Sequence, residues 1–404
     1  MKTRSVKFRN DDGDTLTGLI DEPAGRPRAW ALFAHCFTCT KNAKAAVNIA
    51  RVMADHGYAV LRFDFTGLGQ SEGDFAETNF SSNVSDLLAA VRYLGEEHES
   101  PQLLVGHSLG GTAVLQAAAE LETVRAVATI GAPADPEHVA HLFAGDRDRI
   151  EEEGEAEVDL GGRPFRIRKQ FLDDLGKHEL PDSVAALRRP LLILHSPVDT
   201  VVDVENATLL FKNAMHPKSF VSLDQADHLM SDEPDSRYAG RVLAAWAAKY
   251  LDIDRPVLRL GADPGEAVSR TGASGFRSDV SLSGHTLIAD EPEDYGGTNM
   301  GPTPYDLLSG ALATCTSMTI RMYADRKKLP LDSVTVSVRH DKIHAKDCEE
   351  CEQRDGRIDR FERELTVDGD LTDEQLERIT EIADRCPVHR TLHGEIQVQT
   401  RLRR

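Results

Sequence analysis

The stretch Gln102-Leu103-Leu104-Val105-Gly106-His107-Ser108-Leu109-Gly110 decides the fold of the first part of this chain. It joins a short apolar run to a serine that stands between glycines, and a helical pattern begins near Gly110. A G-x-S-x-G sequence between a strand and a helix is typical of a nucleophilic serine on a sharp turn. The turn strains the backbone of the serine, so its neighbours must lack side chains. The sequence therefore predicts Ser108 as a nucleophile close to the amino terminus of a helix.

Two partners of the serine are predicted further along the chain. A serine nucleophile needs a base, and the base needs an acid that orients it, in the chain order serine, acid, histidine. Asp199 follows the apolar run Leu191–His195. His228 follows the run Ser219–Leu223. Both residues stand at the carboxyl ends of predicted strands, where the sites of open α/β sheets form, so we predict Asp199 as the acid and His228 as the base.

Two further acids compete with Asp199 for this role. Asp203 is better placed to cap the helix that follows it. Asp227 is adjacent to His228 in the sequence and cannot easily face it. Asp199 therefore remains the predicted acid, with a turn or cap role as its simplest alternative.

Acyl transfer also needs two backbone N–H donors for the oxyanion that develops in the transition state. Leu109 follows the nucleophile and is predicted to supply one of them. The second donor should come from the loop after the apolar run Ala29–Ala34, where Phe37 is the candidate. Cys36 and Cys39 form a C-x-x-C pair in the same loop. Packing is the favoured role for this pair, and redox control is the alternative.

Residues 1–251 alternate short apolar runs with helical patterns, which predicts a mostly parallel sheet covered by helices on both faces. The stretch of residues 133–189 breaks this rhythm. It contains a glutamate-rich run from Glu151 to Glu157 and a predicted hairpin around Gly161-Gly162. Its position before the penultimate strand favours a lid over the site, and a solvated insertion is the alternative.

Five motifs of this part carry a family resemblance, namely His35-Cys36-Phe37, Arg62-Phe63-Asp64-Phe65-Thr66-Gly67-Leu68-Gly69-Gln70-Ser71, Gly106–Gly110, Asp199 and His228. Together they resemble the α/β-hydrolase superfamily, in a branch of small serine hydrolases and esterases. The resemblance implies an α/β-hydrolase fold over residues 1–251, with the roles given above for the three catalytic residues and the two oxyanion donors. It also implies hydrolysis of an ester, a thioester or an amide. Cys36 stands where the family usually has glycine.

The pattern changes after residue 251. Residues 252–265 contain two prolines and several charges, and they are predicted to form a linker. From residue 266 onward, alternating strands precede a long helical segment over residues 304–328, and further strands and a second helix follow. A last strand is predicted over Glu395–Arg401. This arrangement predicts a separate α+β domain over residues 266–404.

Two cysteines of this second domain, Cys315 and Cys386, lie in or next to predicted helices. Cys315 lies on the apolar side of the long predicted helix, where a packed core thiol is the simplest interpretation. Cys386 comes directly before Pro387, which ends the preceding helix and exposes the thiol at a turn.

Four segments carry a second resemblance, namely Gly301-Pro302-Thr303-Pro304, Asp306-Leu307-Leu308, Ala311-Leu312-Ala313-Thr314-Cys315 and Cys386-Pro387-Val388-His389. They resemble the OsmC/Ohr family of thiol-dependent peroxide reductases. The resemblance implies that Cys315 attacks an organic hydroperoxide, that Cys386 resolves the sulfenic acid as a disulfide, and that an external dithiol reduces this disulfide. It also implies an intertwined homodimer with the site at its interface. The resemblance also implies an acid and an arginine that support the thiol. Asp306 stands where the acid is expected, and Arg277 stands only approximately where the arginine is expected.

A second C-x-x-C pair, Cys348 and Cys351, follows His340 and His344. It is open to three interpretations: a zinc site, a redox pair, or a surface loop with incidental thiols. One such pair supplies only half of the ligands of a zinc site, so a metal ranks below the other two interpretations. No metal and no cofactor are predicted.

The charge of the chain argues against several kinds of partner. It has 47 Lys and Arg against 67 Asp and Glu, a formal net charge of −20. Nucleic acids and anionic membranes attract basic surfaces, so neither is expected as a partner. No stretch is apolar enough to span a bilayer, and the first residues lack the apolar core of a secretory signal. A cytoplasmic location is therefore expected.

The favoured interpretation is a serine hydrolase that cleaves small or medium acyl esters, fused to an OsmC-like thiol domain that reduces organic hydroperoxides. Two alternatives stay open. In the first, the thiol domain is the main enzyme, a thiol-dependent peroxide reductase. In the second, it is only a dimerisation module that holds two hydrolase domains together.

Overall fold

The computed structural model describes residues 2–23, 25–159, 163–178, 180–251, 260–344 and 357–402. Contacts within the chain divide it into two compact units, Met1–Pro256 and Val257–Arg404. Most of the predicted linker, residues 252–265, lies outside the described residues. Within the described ranges, no helix has both the length and the apolar composition needed to cross a membrane.

An eight-stranded sheet forms the centre of the first unit. The strands of this unit, as far as the chain is described, are β1 (Lys2–Arg9), β2 (Thr15–Glu22), β3 (Ala29–Ala34), β4 (Tyr58–Phe63), β5 (Leu103–His107), β6 (Ala126–Ile130), β7 (Glu155–Asp159), β8 (Pro164–Arg168), β9 (Leu191–His195) and β10 (Lys218–Ser222). The order in the sheet is β1-β2-β4-β3-β5-β6-β9-β10. β2 pairs antiparallel with β1 and β4, and all other neighbours are parallel. The predicted mostly parallel sheet is therefore confirmed.

Helices cover both faces of this sheet. They are α1 (Lys44–Asp55), α2 (Phe80–Glu97), α3 (Leu109–Ala118), α4 (Arg147–Glu153), α5 (Lys169–Leu175), α6 (Leu180–Ala186), α7 (Glu205–Asn213) and α8 (Glu233–Tyr250), with a 3-10 turn at Phe75–Glu77. Apolar residues of α1 and α8 form a buried cluster on one face, and those of α2 and α3 join the cluster on the other face. Because the central strands are covered on both sides, β3 and β5 are buried at every position.

Residues 133–189 form a mixed segment between β6 and β9. It contains a 3-10 helix over Pro136–Asp146, the helices α4 to α6, and the antiparallel hairpin of β7 and β8. The glycines of the predicted hairpin turn, residues 161–162, lie outside the described residues. The segment packs onto the unit through buried apolar side chains, among them Val139, Phe143, Val158, Ile167 and Phe171. The segment is therefore packed on the first unit, and its action as a lid stays a prediction.

The second unit combines helices with antiparallel strands. Its described elements are β11 (Ala267–Thr271), β12 (Ser278–Leu282), β13 (His285–Ala289), a 3-10 turn at Glu293–Tyr295, α9 (Pro304–Lys327), β14 (Leu331–His344), β15 (Arg357–Gly369), α10 (Asp373–Ala383) and α11 (Pro387–His393). β11, β12 and β13 form one antiparallel sheet, and β14 pairs antiparallel with β15. A small apolar cluster joins α9 to α10 and to the β14–β15 ribbon. The unit is α+β.

The strand predicted over Glu395–Arg401 is wrong for the single chain. These residues form neither helix nor strand, and Ile396 and Val398 are exposed. A strand forms only where its backbone groups pair with those of a neighbour. The alternating pattern indicates that the segment can form a strand. It does not supply the neighbouring strand that pairing requires.

Candidate active site

Ser108 stands at the turn between β5 and α3. Its backbone has φ 54° and ψ −129°, and a positive φ is rarely adopted by a residue with a side chain. A Cβ at Gly106 would lie 2.2 Å from the carbonyl oxygen of Gly110. A Cβ at Gly110 would lie 2.4 Å from the carbonyl oxygen of His35. Neither glycine can carry a side chain, and the turn presents the hydroxyl of Ser108 beyond the carboxyl end of β5.

A continuous chain of hydrogen bonds links Ser108, His228 and Asp199. The Nε2 atom of His228 lies 3.0 Å from Oγ of Ser108. The Nδ1 atom of the same imidazole lies 2.7 Å from Oδ2 of Asp199. The other carboxylate oxygen, Oδ1, accepts hydrogen bonds from the N–H groups of Val201 and Val202 at 2.8 and 2.9 Å. The three residues selected from the sequence thus meet at one place in the first unit.

The surroundings of Asp199 favour its charged form. Burial raises the pKa of this carboxyl group. The hydrogen bonds from His228 and from the N–H groups of Val202 and Val201 outweigh burial, so the pKa lies below its usual value. A carboxylate at Nδ1 holds the imidazole in the tautomer whose Nε2 can accept the proton of the serine.

Two further histidines support the site. The ring of His107 lies 5.2 Å from that of His228, and its Nε2 lies 2.7 Å from the carbonyl oxygen of His228. Burial and the neighbouring imidazole lower the pKa of His107 to about 3, so its neutral ring can donate this hydrogen bond. His195 is buried beside Asp199, with 3.7 Å between Nε2 and Oδ2. Sequence reasoning missed His195, whose only signal is its place at the end of the strand before the acid.

The loop after β3 holds one of the two candidate oxyanion donors and lies against the serine turn. Phe37 is buried in this loop. Its ring packs against Phe75 and Phe171 at centroid distances of 5.3 and 5.0 Å. Leu109 is the first residue of α3, and the first N–H groups of a helix have no partner within it. The two candidate donors therefore belong to neighbouring segments beside the nucleophile.

A buried ion pair anchors the far end of this loop. Nζ of Lys41 bonds to Oδ2 of Asp64, and the N–H of Lys41 donates to Oδ1 at 2.7 Å. The side chains are 2% and 1% exposed. Arg62 donates to the carbonyl oxygen of Lys41 and also pairs with Asp21 at 2.7 Å. Sequence reasoning did not select Lys41, because a loop lysine is exposed as a rule and its partner is distant in the sequence.

A disulfide joins Cys36 and Cys39 within the same loop. It encloses Phe37 and Thr38. Cys36 is buried, and Cys39 is partly exposed. The two cysteines are therefore joined covalently, whereas packing alone was the favoured prediction for them.

Cys315 and Cys386 approach each other in the second unit. Both are free thiols, and Cys386 forms hydrogen bonds with the side chains of Cys315 and Thr316. Its Sγ also accepts the N–H of His389 at 3.3 Å. Cys386 is buried, so the exposed thiol predicted from Pro387 is wrong: Pro387 begins α11, and Cys386 caps that helix. Burial raises the pKa of Cys386, but these hydrogen bonds outweigh burial. The pKa of Cys386 therefore lies below the ordinary value of a thiol, which favours the thiolate.

Arg363 is an arginine next to these thiols. Its Nη1 donates to Oγ1 of Thr316 at 3.1 Å and to the carbonyl oxygen of Ala383 at 3.0 Å. Its Nη2 lies 2.6 Å from Oδ1 of Asp384. Arg363 thus ties together the two helices that carry or precede the cysteines. Its position on β15 could be read from the sequence, but its neighbours could not.

The two supporting residues indicated by the family pattern have other neighbours in the single chain. Nη2 of Arg277 lies 3.4 Å from Oδ1 of Asp279. Asp306 forms the capping box of α9 with Thr303, and each accepts a hydrogen bond from the backbone of the other. Their action on the thiols stays a prediction.

The described residues contain no group of three or more His, Cys, Asp or Glu side chains arranged to hold a metal ion. Cys348 and Cys351 lie outside the described residues. His340, upstream of them, stacks on Tyr305 with 4.1 Å between ring centroids. Its Nε2 lies 2.8 Å from Oδ1 of Asp359, so this imidazole already has partners.

Comparison with known proteins relates each unit to a family. Residues 25–149 match the family model of serine aminopeptidase, S33, and residues 297–401 match that of OsmC-like protein. The palmitoyl-protein thioesterase ABHD10, mitochondrial, of Mus musculus is 30% identical over 211 residues, which are 50% of this chain and 70% of that protein.

Two solved structures extend the comparison. The esterase domain of a Rhodothermus marinus protein is 53% identical, with a TM-score of 0.53 and coverage of 62% of this chain and 100% of that chain. Mouse ABHD10 is 25% identical, with a TM-score of 0.53 and coverage of 61% and 99%. The chain therefore belongs to the α/β-hydrolase family through its first unit, and a separate OsmC-like domain follows at residues 297–401.

Proposed function

We propose that the first unit is a serine hydrolase of small or medium acyl esters, with Ser108 as nucleophile, His228 as general base and Asp199 as the acid that orients the base. The hydrogen-bond chain from hydroxyl through imidazole to carboxylate, with distances of 3.0 and 2.7 Å, carries this proposal. A hydroxyl is a weak nucleophile at neutral pH until a base takes its proton, and this chain is arranged for that transfer.

In the acylation step, Oγ of Ser108 attacks the acyl carbon while Nε2 of His228 takes the hydroxyl proton. The carboxylate of Asp199 stabilises the imidazolium that forms. The carbonyl oxygen becomes an oxyanion, for which we assign the N–H groups of Phe37 and Leu109 as donors. The imidazolium then gives its proton to the leaving group. Water attacks the acyl-serine by the same route, which releases the acid and restores the hydroxyl.

Two relatives indicate which acyl compounds to test. The Rhodothermus marinus relative is an esterase domain, which supports oxygen esters as the main substrates. Mouse ABHD10 is a palmitoyl-protein thioesterase, so acyl thioesters form the second class. Both leaving groups accept the proton that His228 would deliver.

We propose that the segment of residues 133–189 acts as a lid beside this site. Its Phe171 packs on Phe37, and its Arg163 donates a hydrogen bond to the carbonyl oxygen of Thr38. A movement of the segment would therefore change the contacts of the loop that carries Phe37. A lid built from one segment is short, which favours small or medium acyl groups.

Hydrolysis of p-nitrophenyl esters of increasing acyl length tests the hydrolase proposal, with thioesters of the same acyl groups as a second series. Ser108→Ala should lower kcat by about 10⁴-fold or more and abolish labelling by a fluorophosphonate. Ser85→Ala, which removes a surface hydroxyl that bonds to Asp11, is the matched control. A fluorophosphonate that still labels the Ser108→Ala protein, or a Ser108→Ala protein with full activity, would exclude Ser108 as the nucleophile.

For the second unit we propose a thiol peroxidase in which Cys315 attacks and Cys386 resolves. The hydrogen bond between Cys386 and the side chain of Cys315 supports a disulfide between the two thiols, and the order of attack follows the family pattern. The thiolate of Cys315 attacks one peroxide oxygen, the O–O bond breaks, and the alkoxide takes up a proton and leaves as an alcohol. Cys386 then attacks the sulfenic sulfur, and a disulfide and water form. An external dithiol reduces the disulfide by two exchange steps.

Consumption of cumene hydroperoxide in the presence of dihydrolipoamide tests this second activity. Cys315→Ser should abolish turnover. Cys386→Ser should still react once and leave a sulfenic acid on Cys315, which a dimedone-type probe traps. If the wild-type chain consumes no hydroperoxide, the alternative that this unit serves only for dimerisation gains support.

We also propose that the second unit forms a homodimer. Met318 and Met322 on α9 and Val398 in the terminal segment are apolar and exposed in the single chain. Their burial between two copies would remove apolar surface from water. Light scattering of the full chain measures the mass, and Met322→Lys should weaken the dimer. A cytoplasmic location likewise stays a prediction, and mouse ABHD10 is described as mitochondrial.

A further inference from the structure

We propose that the Cys36–Cys39 disulfide is a redox site that dithiols open, and that its oxidation state controls the rate of acyl transfer at Ser108. This inference rests on the proposed hydrolase function. No step of the hydrolytic mechanism uses either sulfur atom. The disulfide nevertheless encloses Phe37, the candidate oxyanion donor, and the next residue, Thr38.

The disulfide is the covalent part of a small fixed turn. The N–H of Cys39 donates to the carbonyl oxygen of Cys36 at 3.1 Å. Nδ1 of His35 lies 2.8 Å from the same carbonyl oxygen. Beyond the turn, Lys41 is held by its buried pair with Asp64. The backbone between the end of β3 and Lys41 is thus fixed by hydrogen bonds, one ion pair and one bond between sulfur atoms.

The short span of the disulfide argues against stability as its main purpose. A cross-link stabilises a fold mainly by restricting the unfolded chain, and this restriction grows with the number of residues enclosed. Only Phe37 and Thr38 lie between Cys36 and Cys39, so the restriction is near its minimum. What the bond does constrain is the local backbone of those two residues, where the candidate donor lies.

Of the two cysteines, only Cys39 has exposed surface at which a reductant could attack. Cys36 is buried, whereas Cys39 is partly exposed. Arg163 donates a hydrogen bond to the carbonyl oxygen of Thr38, the residue before Cys39, and so brings a positive charge to this end of the turn. A nearby cation stabilises the Cys39 thiolate that is released in the second exchange step.

The opening reaction is ordinary thiol–disulfide exchange. A thiolate of the dithiol attacks Sγ of Cys39, and Cys36 leaves as a thiolate and takes up a proton. The second thiol of the reductant then displaces Cys39 from the mixed disulfide. The reductant becomes a disulfide, two electrons pass to the protein, and two cysteine thiols are formed. The same class of reductant would serve the Cys315–Cys386 pair, so one pool of dithiols acts on both units.

Reduction should slow acyl transfer without weakening substrate binding. Once the bond is open, the turn keeps its hydrogen bonds, but the N–H of Phe37 is no longer held at the distance that an oxyanion requires. The oxyanion exists in the transition state and not in the bound substrate, so kcat falls and KM changes little. Loss of a whole donor costs about 10²–10³-fold in kcat. The ring of Phe37 stays packed against Phe75 and Phe171, so we expect a smaller decrease of about 10-fold.

The experiment compares the full chain after mild oxidation and after treatment with dithiothreitol, under native conditions. Iodoacetamide followed by peptide mass analysis should alkylate Cys36 and Cys39 only after reduction. In parallel, kcat for a p-nitrophenyl ester should fall about 10-fold on reduction and recover on reoxidation. Recovery shows that the decrease is not caused by unfolding.

Two variants separate this site from the thiols of the second unit. Cys36→Ser/Cys39→Ser should be insensitive to dithiothreitol and should have the low kcat of the reduced wild type. Cys315→Ser/Cys386→Ser, the matched control, should retain the full response to dithiothreitol. A response that disappears in this control would overturn the proposal, as would equal kcat values for wild-type protein with Cys36 and Cys39 shown to be oxidised and reduced.

The outcome is distinguishable from a failure of the hydrolase proposal. The alkylation of Cys36 and Cys39 does not depend on Ser108, whereas Ser108→Ala must remove ester hydrolysis in both redox states if the hydrolase proposal holds. Failure of Cys36 and Cys39 to react after native reduction excludes the redox site even when hydrolysis depends on Ser108.

Discussion

The buried ion pair of Lys41 and Asp64 permits a quantitative test of how the oxyanion loop is anchored. Lys41→Met keeps most of the length and volume of the side chain and removes its charge. The two side chains are 2% and 1% exposed, so the carboxylate of Asp64 stays buried after the substitution. It keeps the N–H donors of residue 41 and Gln70, at 2.7 and 2.9 Å, and loses the ammonium group that pairs with it.

Removal of one partner from a buried pair costs about 3–5 kcal/mol, because the other charge is left uncompensated. We expect Lys41→Met to lower the free energy of unfolding of the first unit by this amount. The loop that carries Phe37 would also lose its anchor, so kcat for ester hydrolysis should fall as well.

Urea unfolding followed by tryptophan fluorescence measures the loss, because both tryptophans, Trp30 and Trp246, belong to the first unit. Lys169→Met is the matched control. It removes the same charge from a pair with Asp173 in which Nζ and Oδ1 are 2.7 Å apart and the side chains are 48% and 55% exposed. An exposed ion pair contributes about 0–1 kcal/mol, so Lys169→Met should change the free energy of unfolding little.

A second substitution tests the cause of the loss. Asp64→Leu in the Lys41→Met background removes the stranded charge, so the double variant should be more stable than the sum of the two single losses predicts. Equal losses for Lys41→Met and Lys169→Met, or strictly additive losses in the double variant, would refute the reasoning.

Three further predictions concern the serine turn, the acid and the second thiol. Gly110→Ala would place a Cβ 2.4 Å from the carbonyl oxygen of His35, so fluorophosphonate labelling of the variant should be lost, and normal labelling would contradict the tight turn. The folded-state pKa of Asp199 lies below its unfolded value of about 3.9, so this carboxylate stabilises the folded unit above that pH, and the contribution is lost as the pH falls through the folded pKa. Asp199→Asn should therefore show a weaker loss of stability in urea titrations between about pH 5 and pH 2, and an unchanged acid dependence would count against this account. Thr316→Val removes a hydrogen bond to Cys386, so the thiolate absorbance of Cys386 should appear at higher pH than in the wild type, whereas an identical titration would show that Thr316 does not act on this thiol.

Short sequence patterns predicted much of the architecture. The apolar runs predicted the central strands, because a strand covered on both faces must be apolar nearly throughout. The glycines around Ser108 predicted the sharp turn, since their carbonyl contacts leave no room for a Cβ. The order of serine, acid and histidine selected three residues that the fold brings within hydrogen-bond distance. The prediction of a strand over Glu395–Arg401 is wrong for the single chain, because a strand must pair with a neighbour, and an alternating pattern cannot supply one.

The sequence by itself determined the alternation of strands and helices, the nucleophile turn and the presence of two unlike domains, because each of these follows from residues that are close together along the chain. The tertiary structure alone decided that Lys41 is buried against Asp64 and that Arg363 stands beside Thr316. A charged side chain can be buried only where a partner compensates it, and that partner is brought close by the packing of elements that are distant in the sequence.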